Sequence, residues 1–168
     1  MKFKIITLGC KVNTYETYVV SDRLVNNGYL EREDADIYIL NTCTVTNTSD
    51  NKSLKELRKI RRDYPDAITV ICGCMIQVKS DLENVDASII IGNKYKSKIV
   101  SFIEEYIKNN ERICCIEDIS NSPFEHMTLN NFNRTLPCCK NGDIILSGDI
   151  VEIVPYYNGF ITEYILLR

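Results

Sequence analysis

An α/β fold, with a doubly wound parallel sheet covered by helices on both faces, is what the sequence predicts. Three observations carry that expectation. Short apolar runs rich in β-branched residues recur along the first two thirds of the chain. Stretches with helical periodicity separate them, and the runs are apolar at consecutive positions instead of alternating. Strands buried on both faces lose the in/out alternation of a half-exposed sheet, so this pattern indicates a parallel sheet between two helical layers.

The elements run in order along the chain. Strands are expected at Phe3 to Leu8, more weakly at Tyr29 to Glu31, then at Asp36 to Leu40, Ile68 to Ile71 and Ser88 to Ile91. The first helix spans Tyr15 to Asn26, with Tyr15, Tyr18, Val19, Leu24 and Val25 apolar, and stops at Asn27-Gly28. Ser49 can cap a second helix that runs to about Asp63, with Leu54, Leu57 and Ile60 inward and Pro65 beyond its end. A last helix, Lys94 to Asn109, aligns Ile99, Phe102, Ile103 and Tyr106 on one stripe. With about five strands and right-handed crossovers, the flavodoxin-like order 2-1-3-4-5 is expected, the weak second strand lying at an edge.

Composition narrows the function classes. The 168 residues are 45% hydrophobic and 26% charged, average for a globular protein with a core of its own. A formal charge of -3 gives no global field toward nucleic acid, so any RNA contact must be local. The sequence has no run of about 20 apolar residues and no signal-peptide pattern at its start, which points to a cytoplasmic protein without membrane contact. Eight cysteines are many for a reducing compartment, where disulfides rarely persist, and this favours metal or redox chemistry.

Three of those cysteines occupy equivalent places: Cys10 follows the first strand, Cys43 the third and Cys74 the fourth. In the expected sheet order these strands are neighbours, so the thiols meet at the carboxyl edge, where ligands of open α/β folds bind. Adjacent strands lie about 4.8 Å apart, so three strand ends span on the order of 10 Å, a scale that loops can close around a four-iron cluster. Three thiolates hold three irons and leave a fourth open to an external ligand. Zinc fits less well, because structural zinc sites close with four ligands, often in CxxC pairs absent here. Gly9 and Gly73 precede two of the cysteines and permit tight turns. Asn13, Asn41 and Thr42 can either donate to cluster sulfides or orient the loops, and a plain turn or cap role stays open for them. A buried, inert cysteine is the competing reading at each single position.

TLGCKVNTYET at Thr7 to Thr17, ADIYILNTCTVTN at Ala35 to Asn47 and ITVICGCMIQ at Ile68 to Gln77 resemble the three signature segments of the radical S-adenosylmethionine methylthiotransferases. KSLKELRKIRRDYPDA and IIGNKYK also look like that family, and the resemblance covers about residues 3 to 120. It implies that Cys10, Cys43 and Cys74 bind an auxiliary 4Fe-4S cluster used in sulfur delivery. The LGCKVN form resembles the branch that adds a methylthio group to C2 of N6-threonylcarbamoyladenosine at position 37 of tRNA. The resemblance further implies a second 4Fe-4S cluster that cleaves S-adenosylmethionine in the full-length enzyme, a sulfur donor, and tRNA as partner. It leaves the oligomeric state open.

The chain also departs from the family. Family members continue into a domain with a CxxxCxxC triad, and none occurs here; Cys138 and Cys139 are adjacent and cannot replace it. Residues 1–118 are therefore expected to be the cluster domain, 119–135 a polar linker, and 136–168 an atypical, β-prone tail. The expectation is a truncated, frameshifted or degenerate tail, and a domain that binds a cluster without completing turnover.

Other features have plainer readings. Lys52, Lys55, Arg58, Lys59, Arg61 and Arg62 make the second helix basic; a solvated face is favoured over phosphate contact. Glu16, in the motif helix, is expected to be structural, accepting hydrogen bonds from loop amides, more than a catalytic base. Cys72 is expected in the core, Cys114 and Cys115 in an edge segment, and His126 exposed in the linker. Two other function classes remain: a scaffold without a cluster, and a flavin or nucleotide module of the same fold. The second lacks a phosphate-cradling glycine fingerprint.

Overall fold

The computed structural model describes residues 1–9, 11–43, 47–78, 82, 84–117, 151–153 and 164–166. Strands β1 (Lys2–Thr7), β2 (Leu30–Glu31), β3 (Ile37–Thr42), β4 (Ile68–Gly73), β5 (Ile89–Ile91) and β6 (Ile113–Cys115) form one parallel sheet in the order β2-β1-β3-β4-β5-β6. Helices α1 (Lys11–Asn26), α2 (Asn47–Asp63), α3 (Cys74–Val78) and α4 (Ile99–Asn109) flank it. A 3-10 turn, Asn93–Lys98, leads into α4. A separate antiparallel pair, β7 (Val151–Ile153) and β8 (Tyr164–Leu166), lies in the tail.

The expected order holds over its five strands, and the sheet gains a sixth. Ile113–Cys115 pairs with β5 at the edge, a segment too short to stand out by periodicity and fixed by its partner. α3 was not foreseen either: Cys74–Val78 is a single turn, below the length at which a helical period can be read. Two helices begin earlier than expected, α1 at Lys11 and α2 at Asn47, so Ser49 lies in the first turn of α2 instead of capping it.

Side chains divide by parity. On one face Ile37 and Ile39 join Phe3, Val70, Ile89 and Ile91 beneath α1 and α4, which contribute Tyr15, Val19, Val20, Leu24, Ile99 and Ile103. On the other, Leu40, Ile71 and Ile90 pack with Leu57 of α2 and Met75 and Ile76 of α3, while Tyr38 packs with Ile60. All six residues of β3 are buried, as an interior strand between two helical layers requires. In α1 the inward stripe differs from expectation at one place, for Val20 is buried while Val25 is half exposed. The helix closes with a Schellman pattern, in which Tyr29 N–H donates to Leu24 O (3.0 Å) and Gly28 N–H to Val25 O (3.0 Å).

One connection lacks a helix. Arg32–Asp36 carries the chain from β2 past β1 to β3, short because β2 has only two residues. Lys2 and Lys4, which alternate with the inward Phe3, hold this loop by pairing with Asp34 and Glu33. The Lys2 N–H donates to Asp36 Oδ2 (2.8 Å).

Burial predicts the energetic ranking. Ile39→Ala in the central strand should cost about 2–5 kcal/mol, whereas Val25→Ala on the exposed side of α1 should stay within about 0.5 kcal/mol. Urea titrations of both variants measure this directly. An equal midpoint for the two would contradict the burial assigned to β3.

Candidate functional site

Parallel registration brings three strand ends together. Thr7 pairs with Asn41 and Thr42 with Gly73, so β1, β3 and β4 finish side by side. Cys43 and Cys74 are the next residues after β3 and β4. Cys43 is buried and Cys74 half-buried. Cys10 lies outside the described residues, but its neighbour Gly9 is placed against Cys43.

The two glycines before cysteines have backbones only glycine adopts easily, Gly9 at φ 111° and Gly73 at φ 102°. A Cβ on Gly9 would overlap the Cβ and Sγ of Cys43. A Cβ on Gly73 would strike the backbone of Thr42. The loop that leads to Cys10 and the last residue of β4 therefore both press on the end of β3.

The polar residues brace these loops. Asn13, buried at the start of α1, donates from Nδ2 to Leu8 O (2.8 Å) and Thr42 O (2.8 Å). Asn41 donates from Nδ2 to Asn13 O (3.0 Å) and Thr17 Oγ1 (3.3 Å). Thr42 Oγ1 donates to Cys72 O (2.6 Å), across to β4. Both amide hydrogens of Asn13 and of Asn41 are thus used on protein atoms, which makes these side chains orienters of the edge rather than donors to a ligand.

Cys72 sits within β4, 1% exposed, on the face beneath α1. Its thiol makes a weak contact to Asn41 Oδ1 (3.8 Å), and burial pushes its pKa up to about 12, against a modest downward pull from Lys96. Cys72 is accordingly a core thiol. Its neighbour Cys74 has left the strand and reached the edge.

Glu16 differs from expectation. Its carboxylate pairs with Lys96 of the 3-10 turn, and the two side chains are 13% and 1% exposed. Burial pulls the Lys96 pKa down, but the Glu16 carboxylate and the Cys72 and Cys74 thiols outweigh it and hold Lys96 above the usual lysine range. Removing one partner of such a pair strands a buried charge, at a cost on the order of 3–5 kcal/mol. Sequence reasoning missed Lys96. It stands among Lys94 and Lys98 in a polar stretch, and only burial sets it apart.

Other candidates lie elsewhere. On α2, Lys52, Lys55, Arg58, Lys59 and Arg62 are exposed, while Lys59 pairs with Glu56, Arg61 with Asp86 and Arg62 with Asp63. Cys114 is exposed and Cys115 half-buried on β6. A groove bordered by Met1, Asp36, Arg61, Tyr64 and Ile107 lies at the amino ends of the strands, away from the cysteines. The expected linker with His126, and Cys138 and Cys139, fall outside the described residues.

The donor set suits a thiophilic metal group. Two thiols follow adjacent strands, Gly9 packs against one of them, and the amides of Asn13 and Asn41 are already satisfied. Among the described residues, to which Cys10 does not belong, no group of three metal-binding side chains occurs.

This geometry has two measurable consequences. Asn13→Ala leaves two carbonyls without their donor and should lower stability by about 1–3 kcal/mol, read from urea unfolding. With a pKa near 12, Cys72 is thiolate in only about one molecule in ten thousand at pH 8. Iodoacetamide at that pH should modify Cys114 and spare Cys72 until urea is added, as peptide mass spectrometry will report; equal labelling of both in the folded chain would contradict the assignment.

Comparison with known proteins places this edge in a family. The model of Uncharacterized protein family UPF0004 matches residues 2–92, which contain all three cysteines. Threonylcarbamoyladenosine tRNA methylthiotransferase MtaB of Aquifex aeolicus is 34% identical over 143 residues, covering 81% of this chain and 33% of that protein. The Bacillus subtilis protein of the same name is 37% identical over 121 residues, covering 67% and 26%. A tRNA-2-methylthio-N(6)-dimethylallyladenosine synthase of Clostridium botulinum is 30% identical over 143 residues, covering 79% and 32%. The chain spans between about a quarter and a third of the length of these relatives. With a matched segment that runs from β1 through β5 and includes the cysteine edge, the chain belongs to the UPF0004 family, the N-terminal domain of the tRNA methylthiotransferases.

Proposed function

We propose that this domain holds a 4Fe-4S cluster on Cys10, Cys43 and Cys74 and takes part in sulfur delivery to C2 of N6-threonylcarbamoyladenosine at position 37 of tRNA. The observation that carries the reading is the convergence of Cys43, Cys74 and the Gly9 loop at the ends of β1, β3 and β4. The names of the relatives support methylthio transfer to tRNA, and those most alike support the threonylcarbamoyl branch.

A cluster held by three thiolates supplies an iron site without a protein ligand, where an external sulfur species can bind. The chain's own residues do the rest. Asn13 and Asn41 fix the loops so that the thiols need little rearrangement, and Thr42 ties β3 to β4 beneath them. Cys72, pointing into the core, stays out of the ligand set.

The domain reading runs with this assignment, with residues 1–118 as the cluster domain, 119–135 as a linker and 136–168 as an atypical tail. The setting is the cytoplasm, where tRNA is modified and thiols stay reduced. Among the described residues no helix is long and apolar enough to cross a membrane.

Anaerobic reconstitution of the chain with iron and sulfide tests the reading. About four irons per chain are expected, with loss of the cluster on Cys10→Ala, Cys43→Ala or Cys74→Ala and retention on Cys72→Ala. Iron below about one per chain would favour a scaffold without a cluster. Loss with Cys72→Ala but not Cys74→Ala would overturn the ligand set.

A further inference from the structure

Lys96 is the one lysine in the buried interior among the described residues, and it reaches there from a turn whose other lysines are exposed or half-buried. The 3-10 turn that carries it contacts α1, β4 and β5. Its partner Glu16 stands on α1, the helix that begins directly after Cys10, and the two are 80 residues apart in sequence. The pair thus joins the helix after the first cysteine to the turn after β5.

We propose that the Lys96–Glu16 pair is a positioning device for the cysteine edge, which locks α1 against the turn after β5 and places a fixed ammonium charge beside β4, the strand that delivers Cys74. This rests on the cluster reading above. One further observation supports the placement. The turn that carries Lys96 contacts β4, the strand that Cys74 directly follows, and Lys96 itself is 1% exposed. A cluster bound by three thiolates carries net negative charge and gains more on reduction, and a buried cation close by favours the reduced form because little solvent screens it.

The two members of the pair then have opposite effects on the cluster. Lys96→Met strands the Glu16 carboxylate and should lower the midpoint potential. Glu16→Gln leaves the ammonium unopposed and should raise it, while Lys96→Arg keeps the charge and should stay near the parent chain. Loose packing alone would reduce iron content in all variants without moving the potential in opposite directions.

The test is an EPR-monitored redox titration of the reconstituted 168-residue chain and these variants, with iron content and circular dichroism measured on the same samples. Opposite shifts in Lys96→Met and Glu16→Gln establish the proposal. Unchanged potentials, or shifts of the same sign, in variants that hold iron overturn it and leave the cluster reading intact. If Lys96→Met does not fold, Glu16→Gln decides alone: a raised potential supports the proposal and an unchanged one refutes it. A parent chain with less than about one iron defeats the cluster reading, and this inference falls with it.

Discussion

Backbone hydrogen bonding sets Thr7 beside Asn41 and Thr42 beside Gly73, and the placement of everything at the carboxyl edge depends on that register. Because successive side chains in a strand point to opposite faces, a slip of one residue in β3 would move Ile37 and Ile39 to the wrong helical layer and turn Asn41 away from Asn13 and Thr17. The apolar residues of β3 are buried on both sides, so such a slip has no low-energy alternative. The register that satisfies the core is also the one that sets Cys43 and Cys74 after adjacent strand ends.

Crowding and polar satisfaction then refine the edge. Gly9 against Cys43 and Gly73 against Thr42 leave no room for a Cβ, and the loops can approach only because none is there. Asn13, Asn41 and Thr42 convert that approach into a braced arrangement, each using its donors on backbone or side-chain atoms of a neighbouring element. The amides of the edge are therefore committed to protein atoms, with Cys43 buried beside them and Cys74 half-buried. Such an arrangement suits a site that must hold a large inorganic group without reorganising.

Electrostatics adds a component that packing does not require. A nonpolar residue could fill the space of Lys96, and a buried ion pair is seldom the most stable solution for a core. Here it bridges α1, which begins directly after Cys10, and a turn that contacts β4, so the proposed cluster gives its position a reason that stability does not.

Much of the fold was legible because it rests on local pattern. The apolar runs of β1, β3, β4 and β5 and the stripe of α4 stand out within short windows of sequence, and the order 2-1-3-4-5 came from general rules of crossover. β6 and α3 escaped, the first because three residues carry no period and the second because one turn carries none. Val25 and Val20 exchanged places because their two orientations differ by the packing of α1, which no residue in the helix states.

The site divides in the same way. The sequence alone determined that three cysteines follow three strands, with glycines before two of them, since strand ends and small residues are local features. The split between a core Cys72 and an edge Cys74 was also legible, for the two are separated by the end of β4; tertiary structure alone decided how the edge is braced, through Asn13, Asn41 and Thr42. It also decided that Glu16 meets Lys96. That contact is made by a helix and a turn brought together only when the sheet is wound, and the burial that gives the charge its strength exists only in the folded chain.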